Sequence, residues 1–215
     1  MEQKIQGLIA WIRENTPRDI DILVPISGGS DSALCFWLYT TVFPSRTVGI
    51  HFGAELRCQP WFEKIGIVRL LPQPTELESR EVARWAQLLD IALSEHRILI
   101  GTRNRTEQVI GTYGTASRIA FHQPLAGVWK SDILSLCEHV GIPEEIILSS
   151  KEADLVCGRP EELARIPFAV VDAFCRETLD GTVAEELNAD QRMYLEDLHR
   201  KNSFKSVLPV MGPEL

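Results

Sequence analysis

A hexapeptide of serines, glycines and one aspartate, SGGSDS, is the segment of this chain best suited to chemistry. Its two adjacent glycines let backbone amides turn towards an anion without interference from a Cβ atom. The first and last serines can donate hydroxyl hydrogen bonds to phosphate oxygens, and the aspartate can hold a magnesium ion that bridges those oxygens. The hexapeptide lacks the lysine of the GxxxxGK[ST] loop, which disfavours a Walker-type phosphoryl-transfer enzyme. Its residues are Ser27, Gly28, Gly29, Ser30, Asp31 and Ser32.

The same six residues would also suit a polar, well-capped turn, because serine and aspartate are ordinary N-caps and glycine is an ordinary turn residue. The flanking segments favour the phosphate loop. The β-branched run Ile20–Ile26 before it predicts a buried strand, and Ala33–Val42 after it is apolar almost all round, as in a buried helix. The N-terminus of such a helix adds unpaired amides and partial positive charge, as phosphate binding requires.

The elements that must position this loop predict an α/β fold. Short apolar runs predict further strands over Thr47–Phe52, Ile65–Leu71 and Arg97–Gly101. Helical spacing predicts a first helix that ends near Asn15 and another within Glu76–His96. Strands that alternate with helices indicate a Rossmann-like, mainly parallel sheet with helices on both faces. On the second of these helices, the apolar face is expected to consist of Val82, Trp85, Leu89, Ala92 and Leu93.

The second half of the chain has a different pattern but no repeat and no inter-domain linker, so we expect a single domain over residues 1–215. An extended tail with two prolines ends the chain. The elements predicted before it are a turn-rich segment over Gly111–Gly127, a helix over Lys130–Val140, a polar loop over Ser149–Pro167, and helices near 168–179 and 182–201.

Composition excludes several classes of function. Lys and Arg total 22 against 30 Asp and Glu, a net charge of −8, which argues against non-specific nucleic-acid binding. No apolar run approaches 18 residues, and the N-terminal segment is amphipathic rather than a secretory leader, so we expect a cytoplasmic protein without a membrane span. The five cysteines form no CxxC or Cys/His cluster, which disfavours zinc and iron–sulfur sites and indicates inert free thiols, including Cys58 and Cys157.

Several segments together resemble a known family. The SGGSDS loop after a first strand resembles the pyrophosphate loop of the N-type ATP pyrophosphatases, which cleave ATP between its α- and β-phosphates. Within that superfamily, Gly101–Glu107 (GTRNRTE) is similar to the GTxNxTE segment of ammonia-dependent NAD synthetases, and Pro124–Lys130 (PLAGVWK) to their segment with an ATP-binding lysine. The resemblance is collinear over nearly the whole chain. Three further similar segments are Ala83-Arg84, Ala153–Leu155 (ADL) and Ser203–Lys205 (SFK).

The resemblance implies an adenine nucleotide alpha-hydrolase-like fold and a role for each matching residue. ATP would be bound by the Ser27–Ser32 loop together with Thr102 and Lys130, and Mg²⁺ by Asp31 and Glu107. Arg84 and Lys205 would contact the acceptor, although each suits a solvated surface position equally well without the resemblance. Synthetases of this family are homodimers with acceptor sites at the subunit interface, so the resemblance implies a homodimer.

The acceptor half of the family pattern is altered. The family's K-x-G-D-G-x-x-D stretch, which recognises nicotinic acid adenine dinucleotide, is replaced by Gly114–His122 (GTASRIAFH), with no lysine and no acidic residue. Arg118 and His122 fall there and could bind a carboxylate or phosphate of the acceptor, or belong to a plain surface loop. Glu152 stands where a threonine is expected before ADL, and Phe204 where a histidine often precedes the terminal lysine.

The sequence therefore predicts an ATP-dependent ligase that resembles NAD synthetase. It would adenylate the carboxylate of nicotinic acid adenine dinucleotide, release pyrophosphate, and let ammonia displace AMP to give NAD. Ammonia would come from solution or from a separate donor, because the chain has no room for a glutaminase domain. Two alternatives stay open: an N-type ATP pyrophosphatase that adenylates a different small molecule, and a non-catalytic paralogue that binds ATP or AMP.

Overall fold

Four parallel strands form the sheet in the part of the chain that the computed structural model describes, residues 1–75, 78–152, 160–182, 184 and 187–206. In chain order they are β1 (Asp21–Pro25), β2 (Thr47–Phe52), β3 (Ile67–Leu71) and β4 (Arg97–Leu99), and in the sheet they follow the order β3-β2-β1-β4. Leu23 of β1 pairs with Val48 of β2 and with Leu99 of β4. The β1 strand, which leads into the predicted phosphate loop, is therefore internal to the sheet.

In the first half of the chain helices alternate with the four strands, and the described elements after β4 are helical. The first five are α1 (Glu2–Asn15), α2 (Ser30–Val42), α3 (Gln59–Ile65), α4 (Arg80–Ser94) and α5 (Arg105–Ile110). The others are α6 (Lys130–His139), α7 (Glu144–Ser149), α8 (Glu161–Ala164), α9 (Phe168–Asp180) and α10 (Ala189–Asn202). Two 3₁₀ helices cover Thr115–Ile119 and Ser203–Ser206.

Each face of the sheet is covered by helices, because successive side chains of a strand point to opposite faces. Ile22 and Val24 of β1 join a core with α1, α2, α6 and α7. Leu23, between them, joins a second core with Leu88 and Ala92 of α4. This arrangement confirms the predicted α/β class with helices on both faces.

A third core lies among the C-terminal helices. Val109 and Ile110 of α5 pack there with Leu163 of α8, Phe174 of α9 and Leu195 of α10. The short α5 is thus fixed between the sheet and the C-terminal helices. Because α5 follows the strand end that carries the GTRNRTE segment, these helices hold that segment in place.

Several predicted elements need correction. Ile65 ends α3 instead of opening a strand, and the seven-residue α3 was not predicted. On α4, Val82 is exposed and Leu93 is 73% exposed, while Ala83, Leu88 and Ala92 are buried. Trp85 and Ala92 were placed correctly on the core-facing side, but the predicted face was rotated towards the exposed Val82 and Leu93. The error arose because an apolar stripe on the surface has the same period as a stripe that faces the core.

The helix predicted near 168–179 begins at Phe168 as expected, but the last long helix differs in its start. The final long helix begins at Ala189 instead of near 182, because Asn188 and Gln191 form a capping box that fixes its N-terminus. Within the predicted polar loop, α8 forms over Glu161–Ala164. The predicted tail with its two prolines lies outside the described residues.

The described cysteines are free thiols. Cys35, Cys137 and Cys175 are buried, and burial raises the pKa of Cys137 to about 12. Cys58 is partly exposed, with its Sγ 3.4 Å from the Glu145 carboxylate, and Cys157 lies outside the described residues. None of the described helices combines the length and the apolar character needed to cross a membrane.

Candidate functional site

A cavity of about 630 Å³ opens where the loops after β1 and β4 leave the sheet. These two strands are parallel neighbours, so their carboxyl ends meet at the same edge, which is where ligands bind in open α/β sheets. The structure brings most of the predicted site residues into this one cavity. Those in its lining are Ser27, Gly29, Asp31, Arg84, Thr102, Glu107 and Lys130.

The SGGSDS loop is braced by its own serines. Gly28 has a φ of +87°, a left-handed conformation that favours glycine, and Gly29 is the N-cap of α2. The Ser32 hydroxyl donates to the Gly29 carbonyl at 2.9 Å and accepts from the Ser27 amide at 3.1 Å. Ser32 is buried and holds the loop in shape, whereas Ser27 and Gly29 face the cavity.

Lys130 forms a partly buried ion pair with Asp31 of the loop. Lys130 is only 6% exposed, and its Nζ donates to the Ser30 hydroxyl at 2.8 Å and to the Asp31 carboxylate. The other Asp31 oxygen accepts from Asn104 Nδ2 at 3.0 Å. Ser150 donates to the Ser30 hydroxyl at 2.7 Å, which ties the end of α7 to the loop. The first turns of α2 and α6 are therefore joined through charged and polar side chains.

A carboxylate that sequence reasoning missed fixes the start of α6. Asp172 of α9 is 2% exposed and accepts from the Ser131 amide at 2.9 Å and from the Thr106 hydroxyl. The Thr106 oxygen in turn accepts from the Lys130 amide at 3.0 Å. Asp172 therefore positions the backbone that carries Lys130. Its signal in the sequence was a single aspartate inside the apolar stretch FAVVDAFC.

Glu107 lies beside Asp31 in an environment that opposes its ionisation. Its carboxylate accepts from the Asn104 amide at 3.1 Å, and the Asn104 side chain accepts from the Glu107 amide at 2.9 Å, a capping box that opens α5. Burial first, and then the charge of Asp31, raise the pKa of Glu107 to about 7. Two neighbouring carboxylates of this kind favour a cation between them.

The fit to Mg²⁺ can be judged from this donor set. The described residues include no group of three or more His, Cys, Asp or Glu side chains that could hold a metal ion by themselves. Mg²⁺ is usually bound through one or two carboxylates plus substrate phosphates and water. Asp31 and Glu107, next to a phosphate-type loop, fit that pattern.

Glu81 supplies a carboxylate at the other end of the cavity, which sequence reasoning also missed. It lines the cavity with Arg84, and a Cβ atom at Gly114 would lie 1.4 Å from its Oε1. The Glu81 carboxylate therefore occupies space that a Cβ atom at residue 114 would need. Burial raises the pKa of Glu81, and the nearby charges of Lys205 and Arg84 act in the opposite direction. A carboxylate from α4 thus lies beside the segment Gly114–His122, which has no acidic residue of its own.

Tyr113 is the centre of a group of cationic side chains at this end. Lys205 Nζ donates to the carbonyls of Gly111 and Tyr113, at 2.9 and 3.1 Å. Arg118 Nη2 donates to the Lys205 carbonyl at 2.5 Å, and the Tyr113 hydroxyl donates to the same oxygen. The structure therefore brings the predicted acceptor residues Arg118 and Lys205 together, just behind the cavity wall rather than in its lining.

Comparison with known proteins identifies the family. The family model described as NAD synthase matches residues 74–209, well over half of the chain. The chain belongs to the NAD synthase family. It is 28% identical over 142 residues to the NH(3)-dependent NAD(+) synthetase of Helicobacter pylori strain P12, a match that covers 60% of this chain and 54% of the relative. Over such matches the chain spans about half the length of these curated relatives. The corresponding synthetase of Pyrococcus furiosus is 23% identical over 247 residues, which cover 100% and 95% of the two chains.

Solved structures confirm the predicted fold of this NAD synthase family member. The NH3-dependent NAD synthetase from Campylobacter jejuni, in complex with the nitrate ion, superposes with a TM-score of 0.76 at 17% identity, covering 99% of each chain. The NMN synthetase from Francisella tularensis gives 0.75 at 20% identity, covering 100% of this chain and 98% of the other. At these identities the likeness establishes the Rossmann-like α/β fold.

Two predicted acceptor residues of this NAD synthase family member differ in placement. Glu152 lines the cavity. His122 does not: its Nδ1 lies 3.3 Å from the Tyr39 hydroxyl and its ring meets Trp11 edge-on at 5.6 Å. His122 therefore packs against α1 and α2 outside the cavity lining, and its contact with the acceptor stays a prediction. The predicted ADL loop, Ala153–Leu155, lies outside the described residues.

Proposed function

We propose that this chain is an ATP-dependent ligase that forms a C–N bond, adenylating the carboxylate of nicotinic acid adenine dinucleotide and transferring the acyl group to ammonia to give NAD. One observation carries the proposal. A single cavity joins the SGGSDS loop, Lys130 and two carboxylates to a second end lined by Glu81 and Arg84. It therefore offers one region suited to phosphates and a second, separate region suited to an acceptor.

The phosphate end would bind ATP through charge and backbone amides. The β- and γ-phosphates would lie on the Ser27–Ser32 loop, where the α2 N-terminus contributes partial positive charge. Lys130 would move its Nζ contact from Asp31 towards a phosphate oxygen, and Thr102 would contact the nucleotide. These residues are supported by their place in or directly behind the cavity lining.

Asp31 and Glu107 would hold Mg²⁺ together with the phosphates. When bound, the ion would neutralise phosphate charge and so favour departure of pyrophosphate. Since the pKa of Glu107 is raised to about 7, this carboxylate would ionise fully only as the cation arrives.

The reaction needs no nucleophilic side chain. An oxygen of the acceptor carboxylate attacks the α-phosphorus, the bond from that phosphorus to the oxygen bridging the β-phosphate breaks, and pyrophosphate leaves with the electron pair. Ammonia then attacks the acyl carbon, the bond from that carbon to the AMP phosphate oxygen breaks, AMP leaves with the electron pair, and the nitrogen releases one proton to solvent. Catalysis on this account is positioning together with charge stabilisation by loop amides and Lys130.

The wider setting follows the same proposal. We infer that residues 1–215 act as one synthetase-like domain in the cytoplasm, with ammonia from solution or from a separate donor. A homodimer is supported by an exposed apolar stripe on α4, which includes Val82 and the 73% exposed Leu93, and by Phe121, which is 83% exposed. Light scattering of the wild-type chain and of a Leu93→Glu variant tests the dimer, and a wild-type monomer would refute it.

A second candidate is an N-type ATP pyrophosphatase that adenylates another small acid. It is favoured by one observation, the occupation of the space beside Gly114 by Glu81 in place of the family's acceptor stretch. A non-catalytic nucleotide-binding paralogue is less consistent with the site, because a pure binder has no need of both Asp31 and Glu107.

Turnover with a panel of acids tests the proposal. Purified protein is incubated with ATP, Mg²⁺, ammonium and one acid: nicotinic acid adenine dinucleotide, nicotinic acid mononucleotide, or an unrelated carboxylate. AMP, pyrophosphate and the amide product are then quantified, with Lys130→Ala as the inactive control. We expect the dinucleotide to give stoichiometric AMP and NAD. Stimulation by another acid alone would favour the second candidate, and nucleotide binding without AMP from any acid would favour the paralogue.

A further inference from the structure

Arg103 is a partly buried cation in the cavity lining. Its guanidinium carbon lies 4.0 Å from the centre of the Tyr113 ring, which holds the side chain in one place. Its Nε and Nη1 atoms are buried and have no hydrogen-bond partner in the described part of the chain. Such donors are costly to leave unpaired, so their retention beside a polar cavity points to a ligand.

The position of Arg103 lies between the two ends of the cavity. Glu107 and Arg118 both act electrostatically on it, the first from the phosphate end and the second from the group around Tyr113. Burial lowers the pKa of the Arg103 guanidinium. The charge of Glu107 raises this pKa, and the charge of Arg118 lowers it. Gly114 and Ser117, which follow Tyr113 in the chain, line the cavity together with Glu81. Arg103 therefore faces the point where a second substrate would meet ATP.

We propose that Arg103 is a specificity-determining residue that binds an oxyanion, a carboxylate or phosphate, of the acceptor. The guanidinium has fixed, planar N–H donors suited to the oxygens of such groups, and the flexible ammonium of a lysine cannot reproduce that arrangement. The assignment rests on the proposed function, since it assumes an anionic acid as second substrate. ATP is the other source of an oxyanion here, but its phosphates already have Lys130, Ser27 and the loop amides.

Arg105 provides a matched comparison two residues along the chain. It also lies over an aromatic ring, with its guanidinium carbon 5.0 Å from the centre of Trp129. Unlike Arg103, it is not part of the cavity lining. Stacking on a ring thus occurs in both arginines, and placement in the cavity with unpaired donors is what distinguishes Arg103.

The test compares Arg103→Gln and Arg103→Lys with Arg105→Gln. For each protein the KM for ATP and the KM for the acid that supports turnover are measured, and thermal unfolding shows whether the variant is folded. We expect Arg103→Gln to raise the KM for the acid by about 10- to 100-fold, the equivalent of losing a charge-assisted hydrogen bond, and to change the KM for ATP less than twofold. Arg103→Lys should recover part of the loss, and Arg105→Gln should leave both values unchanged.

A binding measurement separates this proposal from the proposed function. Nicotinic acid adenine dinucleotide and nicotinic acid mononucleotide are titrated calorimetrically into each protein in the presence of Mg²⁺ and α,β-methylene ATP. Weaker binding of either acid to Arg103→Gln supports the role of Arg103 even if the wild-type protein produces no AMP. An increase confined to the KM for ATP, equal effects of both glutamine variants, or a wild-type protein that neither binds nor turns over any acid tested would overturn it.

Discussion

Replacing Asp172 by asparagine tests whether a buried carboxylate on α9 positions the end of α6 that carries Lys130. The substitution preserves the shape of the side chain but exchanges one acceptor oxygen for an NH₂ group. Asp172 currently accepts from the Ser131 amide and the Thr106 hydroxyl, and the Thr106 oxygen accepts from the Lys130 amide. In Asp172→Asn one of these donors faces another donor, so the start of α6 loses its anchor.

The size of the effect follows from two contributions. A buried donor left without an acceptor costs about 1–3 kcal/mol. Removing a negative charge from the N-terminus of α6 costs about 0.5–2 kcal/mol in a partly buried setting. We therefore expect the free energy of unfolding to fall by about 2–4 kcal/mol, which for a chain of this size corresponds to a fall in Tm of about 5–15 °C. Displacement of Lys130 should also lower kcat/KM for ATP by about 10- to 100-fold.

Asp132→Asn is the matched control, because Asp132 lies in the same first turn of α6. Its carboxylate pairs instead with Lys4 Nζ at 2.7 Å, in a largely solvent-accessible ion pair that is worth about 0–1 kcal/mol. Urea denaturation and ATP kinetics are measured for both variants and for the wild type. If Asp172→Asn unfolds at the same urea concentration as Asp132→Asn and keeps the wild-type KM for ATP, the positioning role of Asp172 is refuted.

Three further predictions concern the two ends of the cavity. The raised pKa of Glu107 means that the stability it contributes below about pH 4.5 is lost as pH rises through about 7. In urea denaturation at several pH values, the free energy of unfolding of Glu107→Gln should therefore fall less with rising pH than that of the wild type. Mg²⁺-dependent AMP formation should disappear in this variant. If its free energy of unfolding depends on pH as in the wild type, the burial of the Glu107 charge is contradicted. Gly28→Ala forces an alanine to a φ of +87°, which should lower the free energy of unfolding by about 1–2 kcal/mol in urea denaturation and raise the KM for ATP. Gly114→Ala should displace the Glu81 carboxylate and raise the KM for the acid in steady-state assays without changing the KM for ATP. If only the KM for ATP changed, the proposal that Glu81 lies at the acceptor end of the cavity would be wrong.

The fold around the SGGSDS loop could be predicted because its parts are contiguous in the chain. The loop, the strand before it and the helix after it lie within Asp21–Val42, and each element has a local signal. The glycine at +87° and the polar first turn of α2 follow directly from what a backbone must do to approach an anion. β2 was predicted with its observed bounds for the same reason, as a short apolar run between turns.

The contacts between residues far apart in the sequence could not be predicted from local patterns. Asp172 is 42 residues from Lys130 in the sequence, and only the packing of α9 against α6 brings its carboxylate to the start of that helix. The face of α4 was misplaced because the hydrophobic period shows where apolar residues lie but not which of them meet the sheet. The packing of His122 could not be predicted for a related reason, since its contacts with Tyr39 and Trp11 are long-range.

The two ends of the cavity differ in how strongly chemistry constrains their sequence. Binding of phosphate by backbone amides requires a particular path of the chain, which few residue types allow. A loop of this kind is therefore recognisable from consecutive residues such as SGGSDS. Binding of a carboxylate or phosphate by long cationic side chains requires only that a guanidinium or ammonium reach the right point, and any element can supply it. Here Arg84 comes from α4, Arg103 from the loop after β4, and Lys205 from a 3₁₀ helix. On the proposed function, an acceptor end built in this way could change its residues without altering the SGGSDS loop, and the altered segment Gly114–His122 is consistent with such a change.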